Sequence, residues 1–267
     1  MPGPRSRYEW TTASAALILV LLFMQANALA GADRSSNSGQ PDLSTIVARV
    51  TLAQIENHAR VKPYSVDREY KIFGGEDELP RTDVLAKISF LPPDQKSYDI
   101  DRSTGGLGEK IVRHILDHEV RAARATDELM ITPQNYEFSY LGEEDFHGQP
   151  CYKLAITPRH DSKELLNATI WVATGTYRIL HVEGEPSKSP SFWVKDVHLE
   201  LGFREVGGMW LQTTTHATAR TRFGGEYRMV SSDLNYDLTD VVAAKHKTPH
   251  ANRKEPAILA SSVTEIQ

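Results

Sequence analysis

Along most of this chain, apolar and polar residues alternate with a period of two. From Cys151 to Pro158, "CYKLAITP" sets Tyr152, Leu154 and Ile156 on one side and Cys151, Lys153, Ala155 and Thr157 on the other. In "FWVKDVHLEL", Trp193, Val197, Leu199 and Leu201 share a side with Lys195, opposite Phe192, Val194, Asp196, His198 and Glu200. One greasy side and one mixed side predict strands of an antiparallel sheet covered on one face. Comparable runs are "YSVDREYKIF", "VLAKISFL", "SYDIDRST", "NYEFSYLG", "ATIWVA", "YRILHVEGE", "MWLQTTTHATARTR" and "GEYRMVSSDLNYDL". Short Gly-containing turns join the later runs. Strands joined that tightly pair antiparallel, because a parallel pair needs a long crossover.

Two stretches have helical period instead. The first starts at Asp42 or Ser44, either able to serve as N-cap, and carries Leu43, Ile46, Val47, Val50 and Gln54, with Leu52 and Ile55 widening the stripe. The second follows "STGG" and runs from about Leu107 to Ala125, with Ile111, Ile115, Leu116, Val120 and Ala123 as its apolar face. Roughly ten strands and two one-sided helices predict a mainly β (α+β) fold. A sheet that wide tends to curl. The expected architecture is a curved antiparallel half-barrel with helices covering its concave face.

The ends bear on location. Arg5 and Arg7 precede the apolar block "AALILVLLFM", and Ala28-Leu29-Ala30 follows it. This pattern predicts a secretory signal peptide over residues 1–30, with an uncleaved anchor as the alternative. Residues 31–41 read as a flexible polar lead, residues 42–247 as one domain, and residues 248–267 as a disordered tail. The net charge is −5 over 267 residues. That argues against a nucleic-acid partner, which wants a basic face. In an oxidising compartment the single cysteine, Cys151, has no intramolecular partner, so it is either buried or an exposed thiol open to oxidation or cross-linking.

Three clusters invite a chemical reading. His147 lies four residues before Cys151, beside Glu143, Glu144 and Asp145, and all four are expected in a solvated loop between strands. A thiol nucleophile needs a base and a lowered pKa, yet "FHGQP" is a turn sequence and Cys151 opens an alternating strand. His114 and His118 share a helix face and would suit a metal, but Ile115 stands where a zinc protease carries its glutamate. Trp171, Tyr177, Phe192, Trp193 and Trp210 fall on neighbouring strands, as core or as the lining of an apolar pocket. No catalytic residue, metal or cofactor is expected from these patterns.

With its strands in order, the chain resembles the LolA/LolB-type superfamily of periplasmic lipoprotein-sorting carriers. The resemblance runs from about Leu43 to Leu238. It is carried by "YLGEEDFHGQPCYKLAITPR", "ATIWVATGTYRILHVEGEP" and "SPSFWVKDVHLELGFREVGGMWL". It implies a periplasmic carrier whose incomplete barrel and helical lid enclose a cavity that shields acyl chains. The lining candidates are Tyr152, Leu154, Ile156, Ile170, Val172, Leu180, Val182, Trp193, Val197, Leu199 and Trp210. The implied partners are a lipid or lipidated protein, an envelope protein and, transiently, a membrane. An envelope-stress or signalling module of the same fold is the alternative, and a hydrolase using Cys151 or the histidine pair is the third.

Overall fold

In a computed structural model of the protein, residues 42–160, 162–189, 194–222 and 225–238 are described. The expected signal peptide, lead and tail lie outside them, as does Trp193. The elements run α1 (Leu43–Arg60), β1 (Tyr64–Gly74), β2 (Thr82–Leu91), β3 (Gln95–Ser103), α2 (Gly106–Ala122), α3 (Thr126–Leu129), β4 (Tyr136–Phe146), β5 (Gln149–Pro158), β6 (Leu166–Ala173), β7 (Ile179–Pro186), β8 (Val194–Val206), β9 (Met209–Thr221) and β10 (Glu226–Asp237). The strands form one antiparallel sheet in the order β3-β2-β1-β10-β9-β8-β7-β6-β5-β4, curved and not closed into a barrel. Every neighbouring pair is consecutive in sequence except β1 with β10, which joins the two ends of the meander.

The register shows that both larger helices cover the same face. Tyr70 and Ile72 oppose Ser231 and Met229, which oppose Thr215 and Ala217. Those oppose Leu201 and Leu199, and Leu201 opposes Val182. Val182 leads through Ile170 to Leu154 and Tyr140. The face is apolar at both ends and lined by small residues (Ser231, Thr215, Ala217) in the middle. Two cores result. Ile46 and Val50 of α1 pack on Leu154, Ile156, Ile170, Val172 and Val182. Val112 and Leu116 of α2 pack on Val66, Tyr70, Ile72, Val84 and Ile88.

Three sequence expectations shift. The buried stripe of α2 is Gly108-Val112-Leu116, and Ile111 is 41% exposed. Gly108 lies against β2 so closely that a Cβ there would come within 1.9 Å of Thr82 Oγ1. That contact rotates Ile111 outward. On α1, Leu52 and Ile55 do not widen the core, since each is 53% exposed. Glu143, Glu144 and Asp145 belong to β4, not to a loop. The connection to β5 is only His147-Gly148, both at positive φ (54° and 84°), the two-residue turn that matches strand twist.

Candidate functional site

The C-terminal half of α1 roofs a cavity of about 350 Å³. Such a volume lies at the lower end of small-molecule sites, about 300–1,000 Å³. Ala53 of α1, Val61 just after it, and Leu129, Met130 and Ile131 form one wall; Ile156, Leu166, Ile179, Val182, Leu201, Phe203 and Trp210 form the other. The cavity runs from Glu164 and Leu166 at the start of β6 to Tyr177 and Arg178 beyond its end. At about 3.3 Å per residue, that is roughly 20–25 Å of strand. An apolar cavity lined over this length of strand suits an extended chain better than a compact ligand.

Two carboxamides on α1 hold the roof. Gln54 Nε2 donates to the Ile131 carbonyl (2.8 Å), and the Ile131 N–H donates to Gln54 Oε1 (3.2 Å). One turn later, Asn57 Nδ2 donates to the Trp210 carbonyl (2.8 Å), and the Trp210 N–H donates to Asn57 Oδ1 (2.7 Å). Each side chain acts like a short piece of strand, satisfying main-chain groups that would otherwise be unpaired beside an apolar space. The indole N–H of Trp210 donates to the Ile179 carbonyl (2.7 Å), so this ring is locked as well.

At the end near Tyr177 the cavity opens beside a polar hollow of about 370 Å³, lined by Ala53, Glu56, Asn57, Arg60, Thr176, Arg178 and Glu205. Tyr177 sits at φ 57°, a rare backbone conformation for an aromatic residue. Its ring stacks on Tyr152 (centroids 6.0 Å), and the Arg49 guanidinium lies 5.0 Å from its centre.

Of the residues singled out from the sequence, Ile156, Tyr177, Val182 and Trp210 line the cavity. Tyr152, Leu154, Ile170 and Val172 belong to the adjoining core under α1. Val197 and Leu199 are half-buried further along β8. Leu180 is placed elsewhere. A bulge pairs Trp171 with His181 and Val172 with Ile179, so Ile179 turns to the cavity. Leu180 joins Cys151, Trp171 and Ala173 in a small cluster on the other side of the sheet. Strict alternation cannot register an inserted residue. Gln54 and Asn57 were also missed as site residues, although polar amides in a buried helix stripe are a usable signal.

The chemical candidates resolve differently. Cys151 is fully buried and its thiol donates to the Gln149 carbonyl (3.3 Å). Burial pushes the thiol pKa up, and Asp145 and Glu144 push it the same way. A nucleophile needs the reverse. The His147 ring packs edge-on against Phe146 at 4.5 Å. His118 Nε2 faces Glu164 Oε1 at 3.6 Å, while His114 is exposed. Among the described residues, no group of three or more His, Cys, Asp or Glu side chains is placed to hold a metal ion. Nor is any helix among them long and apolar enough to cross a membrane.

These features define the class: an open antiparallel half-barrel whose helices leave an elongated apolar cavity against one end of the sheet. No family model and no curated protein matches the chain. Among solved structures it is similar to a domain described as outer membrane lipoprotein-sorting from Vibrio parahaemolyticus. That match has 13% identity and a TM-score of 0.42, covering 73% of this chain and 94% of the other. It is also similar to a DUF1329 family protein from Desulfovibrio piger (14%, TM-score 0.38, 73% and 94%). A LolA superfamily protein from Nitrosomonas europaea gives 12%, 0.34, 74% and 94%. At such identities and TM-scores, the functional reading rests on the geometry of this chain.

Proposed function

We propose that this protein is a binding or carrier protein for an acyl chain, working in the cell envelope and shielding the chain from water in the cavity beneath α1. The carrying observation is the cavity itself: elongated, lined mainly by aliphatic and aromatic side chains, and roofed by a helix pinned at two points. Burying a methylene is worth about 0.8 kcal/mol, so each added CH₂ raises affinity about fourfold until the slot is full. The ligand would be a lipid or the acylated end of a protein. Handing such cargo on needs transient contact with a membrane or an envelope partner.

The test is a displacement titration with saturated chains of increasing length against a fluorescent fatty-acid probe, with native mass spectrometry of protein purified from its own envelope. Affinity should climb with length and then level off. A flat series, together with a preparation carrying no lipid or acylated peptide, overturns the reading.

A further inference from the structure

Resting on the acyl-chain reading of the cavity, we infer that its ligand carries an anionic end, a carboxylate or a phosphate, and that Arg178 holds it.

Among the described residues, Arg178 is the one arginine that lines both the apolar cavity and the polar hollow beside it. Its guanidinium lies 5.2 Å from the centre of the Trp210 ring, which the Ile179 carbonyl and the Asn57 clamp hold in place. The head group is therefore fixed at the point where the greasy lining ends. A guanidinium packed on an aromatic face and restricted at its base is pre-organised to engage two oxygens of one anion. It gives up little freedom when it forks onto a carboxylate or phosphate.

Its present partner is weakly attached. Arg178 Nη1 donates to Glu205 Oε2 at 3.1 Å, but the Glu205 side chain is 61% exposed and that of Arg178 only 23%. An ion pair whose acid stands in water contributes little and exchanges readily. Glu205 can swing outward and be replaced by a ligand anion, while Arg178 has no comparable freedom. Glu56, the other carboxylate of the hollow, pairs with Arg60 at 3.2 Å on α1 and so adds little net repulsion. Arg49, over Tyr177, adds positive charge near the same rim. The strain accepted at Tyr177 has a use here, since that turn sets an aromatic ring into the wall and the next residue, Arg178, at the rim.

The test uses the full chain and four twelve-carbon ligands: laurate, lauroyl lysophosphatidate, methyl laurate and monolaurin. The wild type should bind the two anions more tightly than the two neutral ligands. R178Q should weaken the anions about tenfold, the loss expected for a charged hydrogen bond, and shift the neutral ligands less than about twofold. R178K should restore part of the loss, and E205Q should strengthen the anions. Preference for laurate alone marks a free fatty acid as the source, and for the lysophosphatidate alone a phospholipid; either outcome supports the inference. Equal binding of all four ligands by wild type, or an equal loss for all four in R178Q, overturns it and leaves the acyl cavity standing. Failure of wild type to bind any of the four overturns both. Should R178Q not fold, the same comparison on E205Q and R178K decides.

Discussion

Arg68 is a charge placed inside the second core. Its Nε and Nη2 donate to the fully buried Asp233 carboxylate, and Nη1 lies 3.2 Å from Glu119 of α2. Lys96 Nζ reaches the same glutamate at 2.6 Å, and Tyr236 donates its hydroxyl proton to Asp233. Removing one partner of such a set leaves an uncompensated buried charge, which costs about 3–5 kcal/mol. Arg68→Ala is therefore expected to lower stability by that amount in urea titration. The same group predicts a pH response. Burial works against the charged form of Glu119, but Lys96 and Arg68 outweigh it and hold the carboxyl below its ordinary 4.5. A lowered folded pKa contributes stability that is complete above pH 4.5 and lost as pH falls through the folded value. Glu119→Gln should be less stable than wild type at pH 7 and show a shallower loss below pH 4.5, read from thermal melts across that range.

At the scale of elements, two close approaches set where the helices sit. Gly108 lets α2 touch β2 at Thr82. Gly108→Val should push the helix off the sheet and cost about 1–3 kcal/mol, as overpacking does. Pairing it with Thr82→Gly should recover part of the loss, so a double-mutant cycle would show strong non-additivity. Asn57 does the same service for α1. Asn57→Ala strands the Trp210 N–H and carbonyl, costing about 1–3 kcal/mol, and loosens the cavity roof. Acyl-probe affinity should fall with it, whereas an alanine at the exposed Leu52 should leave affinity unchanged. Elements also show where sequence reading stopped. Alternation placed Leu154 and Ile156 correctly toward the covered face, because nothing interrupts β5 there. The lining position expected of Leu180 is lost where β7 bulges, and the helical period misled at Ile111, because Gly108-Val112-Leu116 is the stripe that packs. A glycine carries no hydrophobic signal, yet it allowed the closest contact.

The whole molecule divides its covered face between two helix-capped ends, one holding the ionic group and the other the cavity. A ligand that enters the cavity of the folded state stabilises it by mass action, about 2.7 kcal/mol at a hundredfold excess over Kd. A saturating twelve-carbon amphiphile should therefore raise Tm by several degrees, and calorimetry with and without it checks this. The local features of this architecture were present in the sequence by itself. The alternating runs, the Gly turns between them and two one-sided helices determined a wide antiparallel sheet covered on one face, since each depends on residues close along the chain. Tertiary structure decided the rest. Arg68 meets Asp233 across 165 positions, Asn57 meets Trp210 across 153, and the cavity is whatever space α1 leaves once both contacts and the β7 bulge are in place. Those are long-range registers and close approaches, and no period along the chain encodes them.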